Sequence, residues 1–164
     1  RPIFSDGASA AMIDLEGSGD IGPFVFATDG SGAPNLTLKK NEGVDDIGDQ
    51  VLYMNGPKVL DFTIDAVPDA VFRLIDKAGL VLADIDMFVF HQASKVVLDR
   101  VRRELNIDEA KMFRNYQEMG NTVSATIPIA LKQAQSGGML VSDMKVLIMG
   151  FGVGYSLAGC IVRT

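Results

Sequence analysis

Residues 145–163 read KVLIMGFGVGYSLAGCIVR, and this stretch decides which class of α/β fold the chain can adopt. Two apolar runs, KVLIMGF and YSLAGCIVR, predict β-strands, and the connection between them is too short to hold a helix. Strands joined so closely form an antiparallel hairpin. A dinucleotide-binding loop instead follows a strand and opens a helix, and the GxGxG spacing lacks the third glycine of that fingerprint. The stretch therefore predicts a closing hairpin and argues against a nucleotide site.

The glycines of this connection, Gly150, Gly152 and Gly154, have two remaining explanations. Glycine in a strand connection lets the backbone approach a bound molecule closely. Glycine also forms tight turns that involve no ligand. The residues by themselves leave both explanations open.

Upstream of the hairpin, apolar runs alternate between strand spacing and helix spacing. We predict strands at residues 8–15, 24–28 and 87–91, helices at 59–78, 94–105 and 122–135, and an exposed loop at 29–49. Two prolines inside predicted helices, Pro68 and Pro128, are expected to kink them. The order of strands and helices predicts an α/β layer structure with a largely parallel sheet.

Composition excludes several classes of protein. The chain has 164 residues, 48% of them hydrophobic, which is enough for one folded domain. Its net charge of −6 argues against bulk nucleic-acid binding, and no apolar run is long enough to cross a membrane. A single cysteine, Cys160, rules out an internal disulfide and suits the cytoplasm. Since the first residue is Arg1, we expect the chain to be cut from a longer polypeptide.

His91, the only histidine, ends the predicted strand MFVFH and precedes a predicted helix. Ligands of open α/β sheets bind outside the carboxyl ends of strands. The nearby helix N-terminus disfavours the charged imidazolium, so a neutral His91 could donate a hydrogen bond at neutral pH. The alternative is a capping or core histidine without a ligand.

Asn121 precedes a predicted helix of small and apolar residues, which should be buried. A polar residue at the mouth of a buried helix with a proline inside it favours a functional site. The alternative is that Asn121 only caps the helix N-terminus.

Three motifs, HQASK at 91–95, GNTVSATIPIAL at 120–131 and GFGVGYS at 150–156, together resemble a β-ketoacyl–acyl carrier protein (ACP) synthase III of the thiolase superfamily. The segment SDGASAAMI at 5–13 resembles the beginning of the C-terminal half of such enzymes. The resemblance implies that residues 1–164 form this C-terminal half-domain, with a five-stranded mixed sheet flanked by helices. It also implies a homodimer when the N-terminal half is present.

By this resemblance, His91 and Asn121 belong to a Cys-His-Asn triad for decarboxylative Claisen condensation of an acyl thioester with malonyl-ACP in fatty acid biosynthesis. A backbone amide at Val153 would help form an oxyanion hole, with Gly152 and Phe151 lining the site. The nucleophilic cysteine would lie in the N-terminal half, and Cys160 is expected to be a buried structural thiol. This chain alone is therefore expected to be inactive.

The resemblance implies substrates carried on phosphopantetheine, either acyl-CoA or acyl-ACP together with malonyl-ACP, and neither a permanent cofactor nor a metal. An acidic ACP would dock on Lys95, Arg100 and Arg103. The alternative is a solvated helix face on which Asp99 pairs with Arg103. Relatives that accept acetyl-CoA often have asparagine in place of Pro57 and Ser94, which argues against acetyl-CoA as primer.

Two other functions remain open at this point. The same triad could serve an acyltransferase that joins β-keto chains or makes esters or amides. The chain could also belong to a non-catalytic subunit that only binds ACP, although intact His91 and Asn121 argue against this.

Overall fold

A computed structural model describes residues 3–15, 19–40 and 50–164. Its elements alternate between strands and helices along the chain. In order they are β1 (Asp20–Thr28), β2 (Leu36–Lys40), β3 (Gln50–Met54), α1 (Gly56–Lys77), β4 (Met87–Phe90), α2 (Lys95–Glu104), α3 (Tyr116–Met119), α4 (Thr126–Ser136), β5 (Lys145–Gly152) and β6 (Ser156–Arg163). None of the helices in these ranges is long and apolar enough to cross a membrane.

The main sheet is mixed, with strand order β1-β6-β5-β4. Strands β4 and β5 are parallel, whereas β5 and β6 form the predicted antiparallel hairpin, with Lys145 opposite Arg163 and Gly152 opposite Ser156. The sequence-based prediction of an α/β fold with a mixed sheet and a closing hairpin is therefore confirmed.

The predicted number of five strands is wrong, because the described part of the chain forms four strands in this sheet. Residues 8–15, predicted as a strand, form no strand and pair with no described strand. Their side chains are exposed, including Met12 at 91% and Leu15 at 101%. A strand exists only where a neighbouring backbone takes its hydrogen bonds, and no described strand lies beside this segment.

A two-stranded sheet, β2 with β3, begins inside the region predicted as an exposed loop. Leu36 pairs with Met54, and the antiparallel register continues to Lys40 opposite Gln50. The glycine and asparagine residues around 29–35 concealed a short strand, LTLKK, because five residues give a weak periodic signal. The rest of the predicted loop, residues 41–49, lies outside the described residues.

Helices cover both faces of the main sheet. On one face α1 and α2 pack on a cluster that includes Leu74, Phe88, Leu98 and Leu147. On the other face α4 packs Ala130 on Val89 and Val146. All four residues of β4 are buried, as expected for a parallel strand covered on both sides. This rigid strand carries His91 at its carboxyl end.

Neither of the two helix prolines divides the helix that contains it. Helix α1 continues through Pro68, which is buried in the core. Helix α4 begins at Thr126, after a 3₁₀ turn over Val123–Ala125, and not at residue 122. Pro128 is therefore in the first turn of α4, where a backbone N–H would have no partner within the helix.

Candidate active site

An apolar cavity of about 1160 Å³ opens where β4 and β5 end and α4 begins. His91, Asn121, Phe151, Gly152 and Val153 all line it. The structure thus brings together the five residues that the sequence placed in the catalytic centre. Their chemical roles stay predictions.

His91 directly follows β4, and its backbone N–H donates to the carbonyl of Met149 over 2.9 Å. The imidazole Nδ1 lies 2.7 Å from Oγ1 of Thr126. The edge of the ring meets Phe151 in a T-shaped contact with a centroid distance of 5.5 Å. Strand, helix and aromatic ring therefore hold the imidazole from three sides.

Desolvation lowers the pKa of His91 from 6.5 to about 4, so the imidazole is neutral at pH 7. The sequence predicted a neutral ring from the helix N-terminus, whereas burial is the cause found in the structure. Helix α2 begins at Lys95, and its N-cap Ser94 accepts the N–H of Val97.

Asn121 lies in the turn between α3 and α4. Its Oδ1 accepts the N–H of Val123 over 2.9 Å, and its Nδ2 approaches the carbonyl of Ala93 at 3.5 Å. The alternative explanation, that Asn121 only caps the helix, is wrong, because Ala125 is the N-cap of α4. These contacts fix the orientation of the amide and leave one of the two NH₂ hydrogens without a partner among them.

The backbone of Asn121 is bound by the beginning of the described chain. The N–H of Ser5 donates to the carbonyl of Asn121 over 3.0 Å, and the N–H of Asn121 donates to the carbonyl of Ile3 over 3.4 Å. The hydroxyl of Ser5 also donates to the carbonyl of Met119. Residues 3–5 therefore position one of the two candidate polar groups.

Val123 connects the two candidate groups through its own peptide units. Its N–H donates to Oδ1 of Asn121, and its carbonyl accepts the backbone N–H of Thr126 and lies 2.9 Å from the Thr126 hydroxyl oxygen. Val123 has φ of 56°, a left-handed conformation that is unfavourable for a β-branched residue. Sequence reasoning missed both Val123 and Thr126, because no local pattern indicates that they contact site residues.

The glycine-rich connection is a tight turn at the cavity wall. Strand β5 extends through Gly152, and Val153 is 63% exposed beside the cavity. Gly154 has φ of 138°, and a Cβ there would lie 2.9 Å from the backbone nitrogen of Ser156. The turn therefore requires glycine at position 154, and it also places main chain against the cavity.

The candidate docking residues Lys95, Arg100 and Arg103 are exposed on α2. Lys95 forms an ion pair with Asp99 at 2.5 Å, and Arg114 binds the other oxygen of Asp99 at 3.1 Å. These neighbours, Lys95 above all, lower the pKa of Asp99. The predicted pairing of Asp99 with Arg103 is replaced by these two bonds. Within the described residues, Arg100 and Arg103 form no ion pair.

Cys160 lies on β6, opposite Phe24 and Ile148 in the sheet. It is half-buried, and burial raises the pKa of its thiol. Pro57 and Ser94 do line the cavity, but proline has no side-chain amide and the Ser94 hydroxyl caps α2.

Comparison with known proteins identifies the family. The family model described as 3-oxoacyl-[acyl-carrier-protein (ACP)] synthase III C terminal matches residues 75–164. Curated β-ketoacyl-[acyl-carrier-protein] synthases III of Staphylococcus haemolyticus and Staphylococcus aureus are each 34% identical over 163 residues, covering 98% of this chain and 50% of theirs. The chain thus spans about half the length of the curated relatives it matches.

Solved structures agree with this match. A crystal structure of a 3-oxoacyl-(acyl-carrier-protein) synthase III aligns with a TM-score of 0.80 and 41% identity, covering 94% of this chain and 50% of its own. The Aquifex aeolicus synthase III aligns with a TM-score of 0.81 and 25% identity, covering 92% and 46%. The priming β-ketosynthase of the R1128 polyketide pathway aligns with a TM-score of 0.80 and 30% identity, covering 87% and 45%.

Proposed function

The chain belongs to the 3-oxoacyl-ACP synthase III family, and we propose that it supplies the histidine and asparagine for condensing an acyl thioester with malonyl-ACP. The observation that carries the proposal is the cavity itself, in which a neutral imidazole and an amide NH₂ line one apolar space. In this proposal residues 1–164 are the C-terminal domain of a cytoplasmic enzyme of fatty acid biosynthesis.

The proposed chemistry requires hydrogen-bond donors for a developing negative charge. When the bond between Cα and the carboxylate of malonyl-ACP breaks, CO₂ leaves and the electron pair delocalises onto the thioester oxygen. His91 and Asn121 donate to this oxygen, and the apolar walls strengthen both interactions. The enolate carbon then attacks the acyl carbonyl, and the thiolate that carried the acyl group leaves.

The thiolate that carries the acyl group is proposed to come from the N-terminal half of a full-length protein, which also forms the homodimer. Cys160 does not suit this role, because burial raises the pKa of its thiol and favours the unreactive protonated form. The chain by itself is therefore expected to condense nothing. The backbone N–H of Val153, beside Gly152 and Phe151, is proposed to bind the oxyanion of the acyl-enzyme.

Substrates are proposed to arrive on phosphopantetheine arms, so the enzyme itself needs no resident cofactor or metal. The exposed basic residues of α2 follow His91 by a few positions and would attract an acidic ACP. Of these, Arg100 and Arg103 are better docking residues than Lys95, whose charge is already paired with Asp99. The Pro57 and Ser94 side chains support a primer other than acetyl-CoA.

The first experiment measures the intact mass of the full-length gene product after incubation with a panel of acyl-CoAs and acyl-ACPs. A stable mass gain on an upstream cysteine, lost when that cysteine is replaced, is expected and would identify the primer. No gain with any donor, from a folded protein, would overturn the proposal in favour of a non-catalytic ACP-binding subunit.

A second experiment follows malonyl-ACP decarboxylation in wild type, His91→Ala and Asn121→Ala. Gln135→Ala, near the far end of α4, is the matched control and should retain full activity. Products that are esters, amides or joined β-keto chains, formed without decarboxylation of malonyl-ACP, would instead assign the related acyltransferase activity.

A further inference from the structure

The hydroxyl of Thr126 lies between two groups of the candidate active site. Its oxygen is 2.7 Å from Nδ1 of His91 and 2.9 Å from the carbonyl oxygen of Val123. Thr126 is 2% exposed, so solvent has little access to this contact. The hydroxyl is the hydrogen-bond partner that the described residues provide for Nδ1.

A hydroxyl has one hydrogen, and the two neighbours of Thr126 cannot both receive it. If the hydroxyl donates to the Val123 carbonyl, it must accept from Nδ1–H, and Nε2 is left without a proton. If it donates to Nδ1, the proton of the neutral imidazole must be on Nε2. The orientation of this hydroxyl therefore decides the tautomer of His91.

The Val123 carbonyl does not depend on the hydroxyl, because it already accepts the backbone N–H of Thr126. Nδ1 is enclosed by Phe151 and the beginning of α4, and the Thr126 hydroxyl is its partner in either orientation. The two orientations differ at Nε2: only donation from the Thr126 hydroxyl to Nδ1 leaves an Nε2–H, and the proposed decarboxylation requires this donor in the cavity.

We propose that Thr126 is a positioning residue that donates to Nδ1 of His91 and so holds the imidazole in the Nε2–H tautomer. The proposal deepens the proposed function and rests on it for its catalytic meaning, since decarboxylation needs His91 as a donor. The same turn also holds Asn121 through Val123, so one short segment sets the donor direction of both side chains.

The tautomer can be measured directly, because His91 is the only histidine of the chain. In protein labelled with ¹⁵N-histidine, long-range ¹H–¹⁵N spectra at pH 7 should show a pyridine-type Nδ1 and a pyrrole-type Nε2. A pyrrole-type Nδ1 in the wild-type protein would overturn the proposal. This measurement needs no variant and no substrate, so failure of the proposed function leaves it unaffected.

Two variants distinguish the effect of the Thr126 hydroxyl from the effect of the side chain's shape. Thr126→Ser keeps the hydroxyl and should retain the wild-type tautomer, whereas Thr126→Val keeps the shape and should give a mixture of both forms. In the full-length enzyme we expect Thr126→Val to lower kcat for decarboxylation about tenfold with little change in KM, and Thr126→Ser to remain within about twofold. A Thr126→Val variant with the wild-type spectrum and wild-type kcat would contradict the proposal.

Discussion

His91 and Asn121 line the same cavity, yet the molecule holds them in different ways. His91 extends from β4, a strand whose four residues are all buried between two helical layers. Asn121 lies in an irregular turn whose backbone is bound to residues 3–5, and most residues of that segment are exposed. One side chain is positioned by the core, and the other by a peripheral segment.

The difference separates how each group responds to change. The core around β4 is closely packed and can shift only at a large cost in free energy, so the position of His91 is fixed. A change in conditions is therefore expected to alter the protonation state of His91 and not its position. The turn around Asn121 depends on a few backbone hydrogen bonds and on Gly120. Substitutions in this region are therefore expected to change the position of the Asn121 side chain. The predictions below test each side of this contrast.

The largest effect on activity is expected from removing the side chain of either His91 or Asn121, because the proposed chemistry needs both hydrogen-bond donors. In the full-length enzyme, His91→Ala and Asn121→Ala should each lower kcat for malonyl-ACP decarboxylation by roughly 10²–10³-fold, as for loss of one oxyanion donor. Gln135→Ala should match wild type. Full activity in either variant would remove that residue from the mechanism.

The next effect concerns protonation on the His91 side. Because the folded pKa is about 4 and the unfolded value is 6.5, the unfolded state binds a proton that the native state excludes at intermediate pH. His91 therefore imposes no penalty above pH 6.5, and stability is lost as pH falls from 6.5 to about 4. The full loss is about 3 kcal/mol, since one pKa unit corresponds to about 1.36 kcal/mol.

Denaturant unfolding of wild type and His91→Gln at several pH values checks this expectation. The difference in unfolding free energy between the two proteins should be constant above pH 7 and move in favour of the variant below pH 6. A difference that does not change with pH would show that the imidazole titrates normally. That result would also contradict the statement that burial lowers the pKa of His91, which is one side of the contrast with Asn121.

A smaller effect is expected from Gly120→Ala on the Asn121 side. Gly120 has φ of 67°, and a Cβ there would lie 2.7 Å from Oγ of Ser5. With ψ of −165°, this backbone conformation is one that essentially only glycine adopts, and it should cost roughly 1–3 kcal/mol in alanine. The contact should displace residues 3–5 and loosen Asn121. We expect Gly120→Ala to lower decarboxylation activity less than Asn121→Ala does, and to leave the histidine ¹⁵N spectrum unchanged.

Gly138→Ala is the matched control for Gly120→Ala. Gly138 has a similar φ of 72°, but a Cβ there meets nothing within 4 Å. Gly138→Ala should also lower stability in thermal unfolding because of the positive φ, and it should keep wild-type activity. Equal activity losses in the two variants would show that residues 3–5 do not position Asn121.

The smallest effect is expected from substitutions on the exposed face of α2, which lies away from the His91 side chain. Arg100→Ala and Arg103→Ala should each weaken ACP binding a few-fold, and the loss should decrease with added salt, as for charges at the rim of an interface. Lys95→Ala should have less effect, because Lys95 is already paired with Asp99. Calorimetry at two salt concentrations measures ACP binding by each variant. A larger loss of affinity in Lys95→Ala than in Arg100→Ala or Arg103→Ala would contradict this ranking.

The buried parts of the fold were predictable because their signals are local. Strand β4 is an uninterrupted apolar run, α2 has apolar residues at helical spacing, and the last hairpin follows from two apolar runs with a short connection. The β2–β3 pair and residues 8–15, which belong to no described strand, were predicted wrongly, since strand pairing depends on which distant backbone lies alongside.

The sequence alone was sufficient to bring His91, Asn121 and the glycine turn into one hypothesis, because each motif is visible in a few neighbouring residues and the three together resemble the synthase III family. Only the tertiary structure revealed Thr126 as the partner of His91 and residues 3–5 as the support of Asn121. Those contacts join residues 35 and more than 100 positions apart. A hydrogen bond needs atoms within about 3 Å in the correct orientation, and only the folded chain determines that.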